Sequence, residues 1–144
     1  MTVSASLDVR FAKEVSAGSV LKKLLKAGWN LQDDDGNTMY LPEDDRGRYD
    51  WRIGVISPDE YLKIVRKQEK SGDPVGVSLS WMSTGIGGEF LFLNPQELFI
   101  VLSLNRQVIA GSSLTDISWY LEKIVLLLEQ AGVRVAGVGG QHHE

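Results

Sequence analysis

Carboxylates are the most concentrated chemistry in this chain. Between Leu31 and Asp50, seven acids (Asp33, Asp34, Asp35, Glu43, Asp44, Asp45 and Asp50) stand against two bases, Arg46 and Arg48. Grouped carboxylates can hold a hard cation, move protons, or project negative potential toward a positive partner. The cation reading fails on spacing. Setting Gly36 at the glycine position of an EF-hand loop puts Leu31 first and Pro42 twelfth, where carboxylates are required. The triplet Asp33, Asp34 and Asp35 is left with loose cation binding at most, and no metal site is expected. At loop tips beside Tyr40, Tyr49 and Trp51, the same acids have the chemistry that covers a basic surface: potential that speeds encounter, and aromatic anchors for the desolvated contact. Asp33, Asp34, Asp35, Glu43, Asp44 and Asp45 are therefore candidate steering and contact charges, with Tyr40 and Tyr49 as anchors. The plain alternative is that acidic loops only keep the chain soluble.

Catalysis finds less to work with. The chain has no cysteine, which removes thiolate nucleophiles, thiolate metal sites and disulfides and fits a reducing cytosol. Its two histidines, His142 and His143, follow Gly139-Gly140 at the C-terminus, where order is commonly poor, so neither is expected to act as a general base. Ser19-Val20-Leu21-Lys22 has the serine–lysine spacing of penicillin-recognising enzymes without their companion motifs. Gly76-Val77-Ser78-Leu79-Ser80 lacks the last glycine of a nucleophile elbow and runs into more strand. Gly85-Ile86-Gly87-Gly88 resembles a phosphate loop in composition, but the strand pattern Glu89 to Leu93 follows it, so the helix dipole such a loop needs is missing. No catalytic residue and no cofactor emerge. The enzyme or small-ligand alternative is a cleft near Gly85 to Glu89, with Glu89 or Asp116 as acid–base groups.

Two further groupings are interaction candidates. Lys22, Lys23 and Lys26, with Lys63, Arg66, Lys67 and Lys70, form the polar faces of two amphipathic helices and become a basic surface if those helices lie side by side. That is the route to a regulatory or nucleic-acid-associated function, although a net charge of -4 argues against a dedicated nucleic-acid binder. On a third helix, Trp119 and Leu126 are seven apart and fall together opposite the core face at 100° per residue. Either a loop or terminus covers them, or they make a self-association or partner contact.

The elements that position these groups read as follows. Val3, Ala5, Leu7, Val9 and Phe11 alternate with Thr2, Ser4, Ser6, Asp8 and Arg10, the period of a half-buried strand. Val20, Leu21, Leu24 and Leu25 give a helix over Ser16 to Ala27, ended by Gly28. Trp29 to Leu31 and Asn37 to Leu41 read as a hairpin about the turn at Asp35-Gly36, and Tyr49 to Ile56 as a strand presenting Trp51, Ile53 and Val55 on one face. Ser57-Pro58-Asp59-Glu60 starts helix two with a capping serine, proline at the first position and glutamate three after the serine, with Ile56 and Tyr61 as a staple. Val75 to Met82, Glu89 to Leu93 and Leu98 to Leu104 form a meander, Thr115 to Ala131 a third helix, and Val133 to Val138 a last short strand before a flexible tail, 139–144.

The expected fold is α+β, a mainly antiparallel sheet of about six to seven strands with three helices packed on it, in a single domain over 1–144. An apolar fraction of 43% supports a packed core. The N-terminus lacks a basic region followed by an apolar run, and Ile117 to Leu128 is too short and too charged to span a bilayer, so neither export nor insertion is expected.

The acidic loops, the strand from Val77 to Trp81 leading into Thr84-Gly85-Ile86-Gly87-Gly88, and Thr115-Asp116-Ile117-Ser118-Trp119-Tyr120-Leu121 at the start of the last helix carry a resemblance. The chain resembles the small acidic immunity proteins of bacterial polymorphic-toxin and contact-dependent growth inhibition systems. The resemblance covers about the C-terminal half and implies a cytoplasmic protein that binds and neutralises one cognate toxin domain without a cofactor. A basic nuclease would complement the acidic patch best. A homodimer through Trp119 and Leu126 is the other partner expectation.

Overall fold

The structure is a computed structural model describing residues 3–144; Thr2, counted in the first strand's alternation, lies outside the described residues. β1 (Ser4–Phe11) buries Ala5, Leu7, Val9 and Phe11 on one face. α1 (Ala17–Ala27) follows, capped by the Ser16 hydroxyl, which accepts from Ser19 N–H. After β2 (Trp29–Asn30), β3 (Thr38–Tyr40) and β4 (Arg52–Gly54), the Ser57 cap and Pro58 open α2 (Pro58–Ser71). Ile56 and Tyr61 are both buried across that cap, as a hydrophobic staple requires. Gly72 ends α2 in the left-handed region at φ 73°, where its missing Cβ avoids a clash.

β5 (Val75–Trp81), β6 (Gly87–Asn94) and β7 (Glu97–Leu104) form the meander. Gly87 and Gly88 sit where the β6–β7 register shifts. A Cβ on either would meet a backbone carbonyl oxygen, Leu79 O at 1.9 Å or Val101 O at 1.8 Å, so close backbone packing explains these glycines.

The third helix, α3 (117–130), is α-helical over Ile117–Tyr120, π-helical over Leu121–Leu126 and α-helical again over Leu127–Gln130, with Asp116 as its cap. Its π-helical stretch accommodates Trp29, whose indole Nε1–H donates to Lys123 O at 2.9 Å. Trp29 is the hub of an aromatic cluster, with ring centroids 5.5 Å from Trp81, 5.2 Å from Phe90 and 6.4 Å from Trp119.

β8 (Val135–His143) completes an eight-stranded antiparallel sheet in the order β4-β3-β5-β6-β7-β1-β8, with β2 also on β5. The fold is therefore α+β as expected. Two elements depart from the sequence reading. The segment read as a tail is instead most of β8, paired with β1 from Ser4↔His143 to Phe11↔Val135. The expected hairpin of residues 29–41 does not form; β2 and β3 both pair with β5, lying along it with the acidic loop between them. One core cluster joins all three helices to one face of the sheet, and among the described residues the other face has no helix on it. No helix among the described residues is long and apolar enough to cross a membrane.

Candidate functional site

The two acidic loops flank β3, next to the sheet edge formed by β4. In the first, Asp33 Oδ1 accepts from Asp35 N–H at 2.9 Å and Asn37 N–H at 2.8 Å, folding the loop around its own carboxylate. Asp33 is thus an organiser of the loop, while Asp34 and Asp35 project into solvent. In the second, Asp45 is 4% exposed, and its two carboxylate oxygens accept from Tyr49 N–H and Asp50 N–H, each at 2.8 Å. That overturns its role as a steering charge. Asp45 instead holds a loop in which Asp44, Arg46 and Tyr49 all take positive φ, 63°, 53° and 57°, conformations that non-glycine residues adopt only when locally supported. Asp44 stays exposed, and Glu43 lies 3.6 Å from Lys67 in an exposed ion pair. Gln68, buried in α2, donates to Leu41 O at 3.1 Å and Pro42 O at 3.0 Å and so pins the start of this loop.

The aromatic expectations divide. Tyr49 is 43% exposed. Tyr40 packs on the helix side, its ring centroid 5.8 Å from that of Tyr61, and is half-buried instead of standing free as an anchor. Trp119 likewise turns inward onto Trp29 and Tyr120. An α-helical wheel placed it with Leu126, but the π-helical stretch from Leu121 adds a residue per turn and breaks that alignment. Leu126 is left exposed without its expected partner.

The anchors that sequence reasoning missed are on β4. The strand read over Tyr49 to Ile56 is only Arg52–Gly54, so of Trp51, Ile53 and Val55 it holds Ile53 alone; Ile53 pairs with Met39 on the helix-free side and is 70% exposed, and Val55, just past the strand, is 82% exposed. Arg46, Arg48 and Arg52 around a short strand were the available signal, since edge strands are commonly short and flanked by charge. Ile53 and Met39 line a recess of about 200 Å³ together with Asp33, Asn37, Ser78 and Ser80. The first acidic loop and the apolar edge therefore meet in one concavity.

The other candidates lie apart from it. Glu89 accepts from Ser103 Oγ, and Asp116 Oδ1 accepts from Trp119 N–H at 3.3 Å as the helix cap. Gly87 and Gly88, near which the sequence suggested a cleft, are buried against neighbouring backbone. His142, expected to be disordered, is clamped: its Nδ1 lies 2.8 Å from Thr115 Oγ1 and 3.3 Å from Thr115 N, and its Nε2 lies 3.3 Å from Glu144 Oε1. Since Thr115 N–H can only donate, Nδ1 is the acceptor and Nε2 carries the proton toward Glu144. This clamp and Ser113 hold the Glu144 carboxyl below its usual range. On the open face near β8, burial and then the neighbouring Glu97 carboxylate push the Asp8 carboxyl up. No group of three or more metal-binding side chains occurs among the described residues.

Comparison of the chain with protein-family models, curated proteins and solved structures finds no match.

Proposed function

We propose that this chain is a partner-binding protein that captures a basic protein surface on its β3–β4 edge, acting as an immunity protein that blocks a cognate toxin domain. The observation that carries the reading is the shared recess, in which Ile53, 70% exposed, stands beside the first acidic loop. An apolar centre with carboxylates around it has the composition of a hot spot with a charged rim: Ile53, Val55 and Tyr49 lose water on contact, while Asp34, Asp35 and Asp44 favour a cationic partner. β4 also presents an unpaired strand edge, on which a partner strand can add main-chain hydrogen bonds. The resemblance to immunity proteins supplies the partner class, and a basic nuclease suits the charge. Action in the cytosol is compatible with a chain that has no cysteine.

The test is co-expression with the toxin domain encoded beside this chain, followed by pull-down and a growth-protection assay. Wild-type protein should form a stable complex and protect. Ile53→Lys should retain the native melting temperature and weaken binding at least tenfold, because an exposed side chain contributes little to folding. A wild-type chain that neither binds nor protects would end the reading, and an unaffected Ile53→Lys complex would move the contact off β4.

A further inference from the structure

The helix layer carries a second concave surface, which the proposed partner-binding function leaves unused. Ser19, Lys22, Lys23 and Lys26 of α1 face Leu62, Arg66 and Glu69 of α2 across a recess of about 340 Å³. Each set recurs at three- and four-residue steps, which holds it on one side of its helix. The helices touch at Gly18, where a Cβ would stand at ordinary contact distance from Glu69 Oε1, 3.4 Å, and Val65 Cγ1, 3.8 Å.

The charges in this groove are separated by kind. Glu69 Oε1 accepts from Gly18 N–H at 2.7 Å and from Ser16 Oγ at 3.2 Å, so the carboxylate is held at the N-terminal end of α1. Lys22, Lys23, Lys26 and Arg66 have no ion-pair partner among the described residues, and Lys23 Nζ donates to Ser19 Oγ at 3.0 Å. Convergent cations in a concavity raise the local positive potential beyond that of a flat solvated face. One guanidinium and three ammonium groups suit phosphate oxygens in particular, the first as a planar fork and the others as point charges.

We propose that this groove binds a phosphorylated small molecule of the nucleotide or sugar-phosphate class, with phosphates on Lys22, Lys23, Lys26 and Arg66 and hydroxyls toward Ser16, Ser19 and Glu69. The carboxylate sets the orientation, because it accepts from hydroxyls and repels phosphate. A volume of about 340 Å³ falls at the lower end of the range for small-ligand sites. Nucleic acid fits less well. The lysines of α1 span only about 6 Å of helix axis, and the net charge of the chain is -4.

Calorimetric titration of the full chain with ADP, ribose 5-phosphate, pyrophosphate and a twenty-nucleotide single strand tests the proposal. Saturable one-to-one binding of ADP or ribose 5-phosphate is expected, weakened more than tenfold by Lys22→Gln with Lys26→Gln and by Arg66→Gln, and unchanged by Lys70→Gln outside the groove. Circular dichroism and melting should match wild type for every variant, since all the substituted side chains are exposed. Failure to saturate at millimolar ligand in low salt would overturn it. So would an equal loss with Lys70→Gln, or tighter binding of the oligonucleotide with a steep salt dependence.

Discussion

The two acidic loops are both rich in aspartate, the second with Arg46 and Arg48 among its acids, but they use their carboxylates differently. In 31–37 a single exposed carboxylate, Asp33, caps a short turn, and its neighbours Asp34 and Asp35 are free to act at a distance. In 42–50 the organising carboxylate, Asp45, is buried and supports a backbone with three non-glycine residues at positive φ. Each loop therefore has one aspartate fixing its own conformation and others facing outward. The charge facing a partner is smaller than the sequence count of acids implies, and the loops that display it are held by their own hydrogen bonds.

The largest expected effect breaks the second loop. Asp45→Ala removes the acceptor from Tyr49 N–H and Asp50 N–H and leaves the strained residues unsupported; a loss of about 2–3 kcal/mol is expected for charge-assisted bonds in a buried setting. Chemical denaturation measures it, and a loss below about 0.5 kcal/mol, the level of an ordinary surface substitution, would make the two loops equivalent. Asp33→Ala should cost less, about 1 kcal/mol, because water can replace its carboxylate at an exposed turn.

Asp34→Lys with Asp44→Lys should leave stability within about 0.5 kcal/mol of wild type. The same pair should slow association with a basic partner several-fold at low ionic strength, an effect fading as salt rises. A stopped-flow rate unchanged at low salt would show that the outward charges do not steer.

The smallest effect sharpens the contrast with a carboxylate that neither loop contains. Asp8 has one carboxylate oxygen buried without a hydrogen-bond partner, and its carboxyl is pushed up by burial and by Glu97. A raised carboxyl favours its protonated form in the folded state, so its ionisation disfavours folding above the raised value. That penalty fades as pH falls and is gone below the ordinary carboxylate range. Asp8→Asn should therefore raise the melting temperature slightly at pH 7 and leave it unchanged near pH 3. An equal rise at both pH values would assign the effect to packing.

Much of the fold was legible because it depends on local rules. The alternation of β1, the Ser57-Pro58 cap of α2 and the meander of β5 to β7 all follow from period and capping chemistry. The candidate site was half legible. Its carboxylates were located, but their division into buried and exposed members depends on which backbone N–H groups each loop turns toward them. The period of two put Trp51, Ile53 and Val55 in one strand, of which only Ile53 lies in β4, and nothing in that period states which side of the sheet the helices cover.

The C-terminal strand shows the same limit. Val138-Gly139-Gly140 has little local strand preference, and β8 exists because β1 offers an unpaired edge and Thr115 and Glu144 clamp His142. The sequence by itself determined the carboxylate-rich chemistry, the amphipathic helices and the antiparallel α+β class, since these follow from composition and short-range spacing. Only the tertiary structure decided which acids face outward, that Trp119 packs against the core, that Ile53 is exposed, and that Lys22, Lys26 and Arg66 share a groove. Those outcomes depend on which elements pack together, and packing is set by contacts between residues far apart in the chain.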